Sequence, residues 1–267
     1  MIFLLIGWGC KKNDNPVNNA PTGEPVPGNI FPLIFGHQFV YKGYLLDGAG
    51  NKIQETEALY FSSWTITNDT PLNAFFPSSA IVSNPQQHGV LIVDSTSVPG
   101  YISPQRNIPF FAYYDTSSGD YYYLTNFGYF FRSDSVFESS TSLNYRSDSL
   151  KFIKLASPKI GTIKRDSTTE YFTSYILGRN SPLDLRVDII ICFEKKENIT
   201  LNMNGIDTTL TSYYLTVKSH PTSGALDLGE TISAKFWLVE GIGPVQFFLA
   251  GDKETPGSFR QLTSKNF

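Results

Sequence analysis

The sequence predicts an all-β protein with mostly antiparallel strands, arranged either as one curved, barrel-like sheet or as two β-subdomains. Three observations support this fold class. Aromatic residues, chiefly Tyr and Phe, make up 15% of the 267 residues, and these residue types favour strands. Short runs of alternating apolar and polar residues recur along the chain, and segments rich in Gly, Pro, Asn and Ser separate them. Few helix-forming residues follow one another.

The first predicted strand begins near Phe35 and alternates between apolar and polar residues. The loop Asp47–Asn51 is rich in residues that tolerate positive φ, so we expect a hairpin whose second strand lies within Lys52–Thr67. One face of the first strand carries Phe39, Tyr41 and Leu45, and the other carries Lys42 and Tyr44.

An unusually aromatic segment, Pro109–Arg132, follows a short apolar strand at Val90–Asp94. Ser117–Asp120 is typical of a turn that joins two strands. Successive side chains of a strand point to opposite faces, so the three tyrosines at positions 121–123 do not all face one core. Either both faces are covered, with hydroxyls at the rim, or one face presents rings to solvent and binds sugars or peptides. The second alternative predicts a ligand-binding groove lined by Tyr113, Tyr114, Tyr121, Tyr123 and Tyr129.

The polar segment Ser133–Asp148 is where two subdomains would divide, near residue 140. The most apolar strand follows it, with Leu185, Val187, Ile189, Ile191 and Phe193 on one face. Cys192 lies on the opposite face and is predicted to be a buried, inert thiol, because no neighbouring His or Lys activates it.

The remaining predicted strands form two hairpins and a closing strand. Asn202–Gly205 is a turn that leads into the strand Asp207–Ser219. Lys235–Phe247 forms two strands joined through glycines, with Trp237 and Phe247 placed to pack near each other. Gly251–Phe267 is the final strand.

Composition and motifs exclude several classes of function. The formal net charge is −3 and no stripe of Lys and Arg occurs, which argues against a nucleic-acid partner. The three histidines, His37, His88 and His220, are far apart, and no metal-binding, phosphate-binding or nucleophile motif is present. We therefore expect no metal, no cofactor and no enzymatic activity. A hydrolase that acts on glycans or envelope polymers is the alternative, and its candidate carboxylates are Asp115, Asp120, Asp188 and Glu194.

The first residues predict delivery to a membrane. Residues 1–9 are apolar or small and end at Cys10, followed by two lysines. This run is too short to span a bilayer, which takes about 20 apolar residues, but it fits the apolar core of a signal peptide. Residues 11–29 contain four prolines and almost nothing apolar, so they are predicted to form a tether before a folded part at 30–267. The alternative is a buried N-terminal strand that ends in an ordinary cysteine.

The pair Gly9–Cys10 resembles the lipobox of bacterial lipoproteins, although Gly7 stands where that motif usually has a larger aliphatic residue. Two further motifs, F-P-L-x-x-G from Phe31 and W-x-x-x-G-I-G-x-V from Trp237, resemble those of uncharacterised Bacteroidota lipoproteins. The resemblance implies that Cys10 is acylated and becomes the first residue of the mature chain.

Acyl chains on Cys10 would anchor the protein to the bacterial outer membrane, on its periplasmic or its surface-exposed side. Stable attachment takes two or more chains. We therefore expect a lipid-anchored envelope protein that binds an unknown ligand or protein partner without catalysis. A purely structural envelope component is a further alternative.

Overall fold

The computed structural model describes residues 23–32, 34–71, 88–97, 110–115, 120–126, 150–155, 158–176, 179–223, 226–227, 229–251 and 256–267. These residues contain thirteen strands and one 3₁₀ helix, Gln54–Thr56, and no α-helix. The strands are β1 (Gln38–Leu46), β2 (Phe61–Pro71), β3 (His88–Ser97), β4 (Phe110–Asp115), β5 (Asp120–Asn126), β6 (Leu150–Leu155), β7 (Ile163–Ile176), β8 (Arg179–Met203), β9 (Ile206–Ser223), β10 (Leu226–Asp227), β11 (Thr231–Val239), β12 (Gly243–Leu249) and β13 (Gly257–Lys265).

All thirteen strands belong to one sheet, and every pairing in it is antiparallel. The order is β6-β5-β4-β3-β2-β1-β13-β12-β11-β9-β8-β7, and β10 pairs with β9. The predicted all-β, antiparallel class is confirmed. The sheet curls without closing, since the end strands β6 and β7 do not pair with each other in the described ranges.

The long β8–β9 hairpin shows this curl. Glu194 is an extra residue in β8, between the paired positions Phe193 and Lys195, and such bulges bend a strand and increase its twist. At the hairpin tip the backbone N–H of Asn204 donates to the carbonyl of Thr263 at 2.9 Å. The tip therefore reaches back to β13, beyond the intervening strands β11 and β12.

The core consists of two main hydrophobic clusters, and Phe31, Phe236 and Leu249 pack against both. The first cluster is Val26, Ile30, Ile189, Ile191, Phe193, Tyr213, Leu215, Val217, Ala234 and Leu238. The second is Phe39, Tyr41, Trp64, Ile66, Leu201, Val239, Val245, Phe247 and Leu262.

The predicted alternation in β1 is confirmed, because Phe39, Tyr41 and Leu45 are buried while Lys42 is exposed and Tyr44 half-buried. The hairpin partner β2 begins only at Phe61, however, and the 3₁₀ helix occupies much of the predicted start of this strand. Thr56 is fully buried, and its hydroxyl accepts from the Leu45 N–H at 2.9 Å and donates to the Ile53 carbonyl at 2.6 Å. These bonds hold the helix against β1 and lengthen the connection between β1 and β2.

Part of the predicted tether contacts the sheet. Val26 and Ile30 belong to the first cluster, and the Val26 N–H donates to the Pro158 carbonyl at 2.8 Å. The backbone carbonyl of Glu24 accepts the Ile160 N–H at 2.9 Å, and the Glu24 carboxylate lies 2.6 Å from the Lys196 ammonium. Residues 23–29 are therefore part of the fold, and the predicted tether over residues 11–29 is wrong for this segment.

The predicted turn between β8 and β9 is confirmed. Asn204 and Gly205 have φ values of 52° and 84°, as a two-residue turn of type I′ requires. Ile189, Ile191 and Phe193 are buried in the first cluster. Cys192 is buried, with 4% exposure, as predicted.

The predicted closing hairpin corresponds to β11 and β12, but Trp237 and Phe247 are not partners. Phe247 lies opposite Phe236, with ring centroids 5.8 Å apart, whereas Trp237 lies opposite Gln246. Adjacent positions of a strand face opposite sides of the sheet. Trp237 nevertheless packs against the second cluster, which contains Phe247, so both residues of the predicted pair lie at that cluster.

Candidate functional site: an aromatic and lysine-lined sheet face

Residues that are direct partners in antiparallel strands lie on the same face of a sheet, so the register defines rows of neighbouring side chains. One such row crosses six strands and spans about 24 Å at the usual spacing between strands. Its members, from β8 to β1, are Lys195, Tyr214, Trp237, Gln246, Gln261 and Lys42.

A second row lies two residues further along the same strands, about 7 Å away. We call the two rows together the aromatic–lysine face. All of its members except Thr216 are exposed or half-buried, while the alternate residues Leu215, Phe247 and Arg260 are at most 5% exposed on the core side. The second row consists of Thr216, Lys235, Phe248, Phe259 and Tyr44.

The second row is an aromatic stripe with a lysine near each end. The Tyr44 and Phe259 rings stack with centroids 5.1 Å apart and an interplanar angle of 23°. The Lys52 ammonium lies 4.7 Å from the Tyr44 centroid, and the Lys235 ammonium lies 5.2 Å from the Phe248 centroid. Such cation–π contacts hold lysines beside rings, so the stripe combines apolar surface with positive charge.

Two amides occupy the centre of the first row. The Gln261 Nε2 donates to the Gln246 Oε1 at 3.0 Å. A carboxamide has two donors and an oxygen with two lone pairs, so this single bond leaves each amide with hydrogen-bonding capacity. The centre of the face therefore presents donors and acceptors beside the aromatic rings.

Trp237 and Tyr214 form the aromatic part of the first row, with ring centroids 4.8 Å apart. The Trp237 indole N–H donates to one oxygen of Glu197 at 2.9 Å, and Lys195 donates to the other oxygen at 2.6 Å. One carboxylate thus fixes the indole and the ammonium. Trp237 also packs against the second cluster, to which the β8–β9 hairpin contributes Leu201.

The electrostatics of this region set the protonation of Tyr214 and Glu197. Burial, followed by the charges of Glu194 and Glu197, raises the pKa of Tyr214 to about 12, so its phenol stays protonated at neutral pH. Burial alone would raise the pKa of Glu197, but the hydrogen bonds from Lys195 and Trp237 and the charge of Lys195 together lower it. Glu197 is therefore ionised at neutral pH and holds no proton to donate as a general acid.

Two of the carboxylates considered for a hydrolase have described side chains, and each accepts a hydrogen bond from a nearby residue. Glu194 accepts a hydrogen bond from Thr216 at 2.8 Å, and Asp188 accepts one from Arg186 at 3.0 Å. Asp115 and Asp120 face each other in the register of β4 and β5.

The described histidines make local contacts. His37 stacks on the Phe267 ring with centroids 3.8 Å apart, and His220 lies 2.7 Å from an oxygen of Asp227. Within the described ranges, no group of three or more His, Cys, Asp or Glu residues is placed to hold a metal ion.

The same part of the chain has no helix that is long and apolar enough to cross a membrane.

The structure places the predicted tyrosines elsewhere in the sheet. Tyr113 and Tyr114 lie in β4 and pair with Tyr122 and Tyr121 of β5, beyond β2 and β3 from the aromatic–lysine face. Tyr123 is also in β5, whereas Tyr129, Cys10 and the division near residue 140 lie outside the described residues. The tyrosine groove stays a prediction.

The aromatic–lysine face was not predicted from the sequence, because Trp237 was assigned to packing and Lys195 and Glu197 of β8 were given no role. A local signal was present. Four strands each carry an aromatic residue and an amine or amide two positions apart, which places both on one face. The pairs are Lys42 and Tyr44, Lys235 and Trp237, Gln246 and Phe248, and Phe259 and Gln261.

No protein-family model matches the chain, and no curated protein matches it. Two solved structures are similar to it. A candidate lipoprotein from Parabacteroides distasonis has 15% sequence identity and a TM-score of 0.45, over 89% of this chain and 98% of that one. A candidate exported protein with a YmcC-like fold from Bacteroides fragilis has 9% identity and a TM-score of 0.36, over 92% of this chain and 99% of that one.

Proposed function

We propose that the chain is a lipid-anchored, non-enzymatic protein of the bacterial cell envelope that binds a ligand or partner through the aromatic–lysine face. Acyl chains on Cys10 would attach it to the outer membrane, on the periplasmic or the outer side. The apolar leader that ends at Cys10 and the proline-rich tether support the anchor.

The observation that carries the binding role is the register that aligns partly accessible aromatic rings across neighbouring strands. Where one face of an antiparallel sheet covers the core, its other face is ordinarily polar. Here that other face carries Trp237, Phe248 and Phe259 beside amides and lysines. A contiguous apolar patch with polar groups around it is typical of a binding surface.

The chemistry of the same region supports a role without catalysis. Its half-buried carboxylate, Glu197, is engaged by two donors and has a lowered pKa. A glycosidase needs one carboxylic acid with a raised pKa and a second carboxylate at a defined distance. The contacts of Glu197 instead fix the indole ring, as a binding surface requires.

Tryptophan fluorescence tests the binding role, because Trp237 lies on the proposed face whereas Trp64 is only 4% exposed in the core. The full chain in detergent micelles would be titrated with three probes, namely cellohexaose, oligogalacturonate and an Ala-Ala-Ala-Ala peptide. We expect at least one probe to change the emission of the wild type, and a Trp237→Phe variant to lose that change.

Variants away from the reporter separate binding from folding. Phe259→Ala, in the second row, should weaken binding at least tenfold, which is the scale of losing a buried aromatic contact. Ile206→Ala is the matched control, because Ile206 is 69% exposed at the hairpin tip and lies outside the aromatic–lysine face. Binding that is unchanged in Phe259→Ala, or cleavage of an oligosaccharide by the wild type, would contradict the proposal.

A further inference from the structure

We propose that the ligand of the aromatic–lysine face is an acidic polysaccharide whose chain runs across the strands. Its sugar rings lie on the aromatic residues, and its carboxylates lie at Lys42 and Lys235. This inference rests on the proposed function and adds the chemical class of the ligand.

The ion pairs of the face determine which lysines remain for a ligand. Lys195 is paired with Glu197 at 2.6 Å, and Lys52 is paired with Glu57 at 2.5 Å. Among the described residues, no carboxylate lies within ion-pair distance of Lys42 or Lys235. These two ammonium groups give the face a positive charge that is not neutralised within this part of the chain.

The spacing of the two lysines fits an extended ligand. Lys42 is in β1 and Lys235 is in β11, with β13 and β12 between them. Three strand spacings and one offset of two residues separate their backbones by about 16 Å. The rings of Phe248 and Phe259 and the amides of Gln246 and Gln261 occupy the space between.

The residue types favour a sugar chain over a protein or a nucleic acid. Protein–protein interfaces are depleted of Lys, whereas this face carries Lys at both ends of its first row and a further Lys in its second row. Nucleic-acid surfaces gain affinity from clustered cations, and here the Glu197 carboxylate lies beside the first row, bonded to Trp237 and Lys195. Sugar rings offer C–H groups to aromatic faces and hydroxyls to amides. The carboxylates of uronic acids supply a negative charge for Lys42 and another for Lys235.

The test compares four probes on the full chain in detergent micelles, with Trp237 emission and calorimetry as readouts. The probes are oligogalacturonate, the same oligosaccharide with its carboxyl groups reduced to alcohols, poly-L-glutamate and an oligothymidylate. We expect oligogalacturonate to bind best and its affinity to fall as salt rises. Lys42→Gln and Lys235→Gln should each weaken binding about two- to fivefold, the scale of one exposed ion pair.

Lys164→Gln is the matched control. Lys164 lies opposite the core residue Ile191 in the edge pair β7–β8, and therefore outside the aromatic–lysine face. This variant should bind oligogalacturonate as tightly as the wild type does. Equal binding of the charged and the reduced oligosaccharide would overturn the acidic ligand and leave the proposed function standing. Tighter binding of poly-L-glutamate or oligothymidylate would overturn the sugar class. If folded protein binds none of these probes and none of the earlier three, both proposals fail.

Discussion

Glu197 links folding to the proposed binding face at the level of a single residue. Its two oxygens accept from the Trp237 indole at 2.9 Å and from the Lys195 ammonium at 2.6 Å. Charged hydrogen bonds of this kind are stronger than neutral ones. The carboxylate therefore fixes the orientation of the largest ring on the aromatic–lysine face.

Glu197→Gln should lower the free energy of unfolding by about 1 kcal/mol at neutral pH. Because the pKa of Glu197 is lowered in the folded state from its ordinary value of 4.5, its stabilising contribution is present above that value and is lost as the pH falls through the folded pKa. Urea titrations at a series of pH values from 7 to 3 measure this effect. A difference between wild type and variant that stays constant down to pH 3 would contradict it.

Gly43 is required by the close approach of β1 to β13. A Cβ at this position would lie 1.8 Å from the carbonyl oxygen of Phe259. Gly43→Ala should therefore destabilise the fold by about 1–3 kcal/mol, as overpacking does, and should disturb the second row at Phe259. Lys42→Ala, at the adjacent exposed position, should change stability by less than about 0.5 kcal/mol. Equal unfolding midpoints for the two variants would refute this account.

At the scale of an element, the segment 23–32 covers the first cluster and ties the start of the described chain to β8 and β9. Ile30 is completely buried in that cluster, whereas Ile34 is 55% exposed. Ile30→Ala should cost about 2–5 kcal/mol because it leaves a cavity, and Ile34→Ala should be close to neutral. Denaturant unfolding of both variants measures the difference, and similar losses would show that the segment does not seal the core.

Local patterns in the sequence predicted local elements correctly. The alternation of Phe39, Tyr41 and Leu45 with polar neighbours identified the core face of β1. The predicted turn Asn202–Gly205 is present as a two-residue turn at Asn204 and Gly205. The sequence did not predict that β2 begins only at Phe61. The hydrogen bonds of one buried residue, Thr56, hold the 3₁₀ helix before it, and such bonds leave no hydrophobic periodicity in the sequence.

The scale of the whole molecule explains why the candidate site escaped sequence reasoning. The aromatic–lysine face depends on the pairing of β1 with β13, from opposite ends of the described chain, and on the bulge at Glu194 in β8. A shift of one residue in either register would move alternate side chains to the other face. The composition of each strand was visible in the sequence, but the alignment of Lys42 with Gln261 arises only when the sheet forms.

The proposed membrane anchor would be a property of the whole molecule that depends on one atom, the sulfur of Cys10. Each buried CH₂ of an acyl chain contributes about 0.8 kcal/mol, so two or more chains give lasting attachment. Intact mass of the protein recovered from bacterial membranes should show a chain that begins at Cys10 and carries acyl groups, and Cys10→Ala should lose both the added mass and the attachment. Cys192→Ala is the matched control, since that thiol is buried in β8 and its removal should leave acylation unchanged. An unmodified wild-type chain that begins at Met1 would refute the anchor but not the proposed binding by the aromatic–lysine face, because that proposal rests on the sheet and not on Cys10.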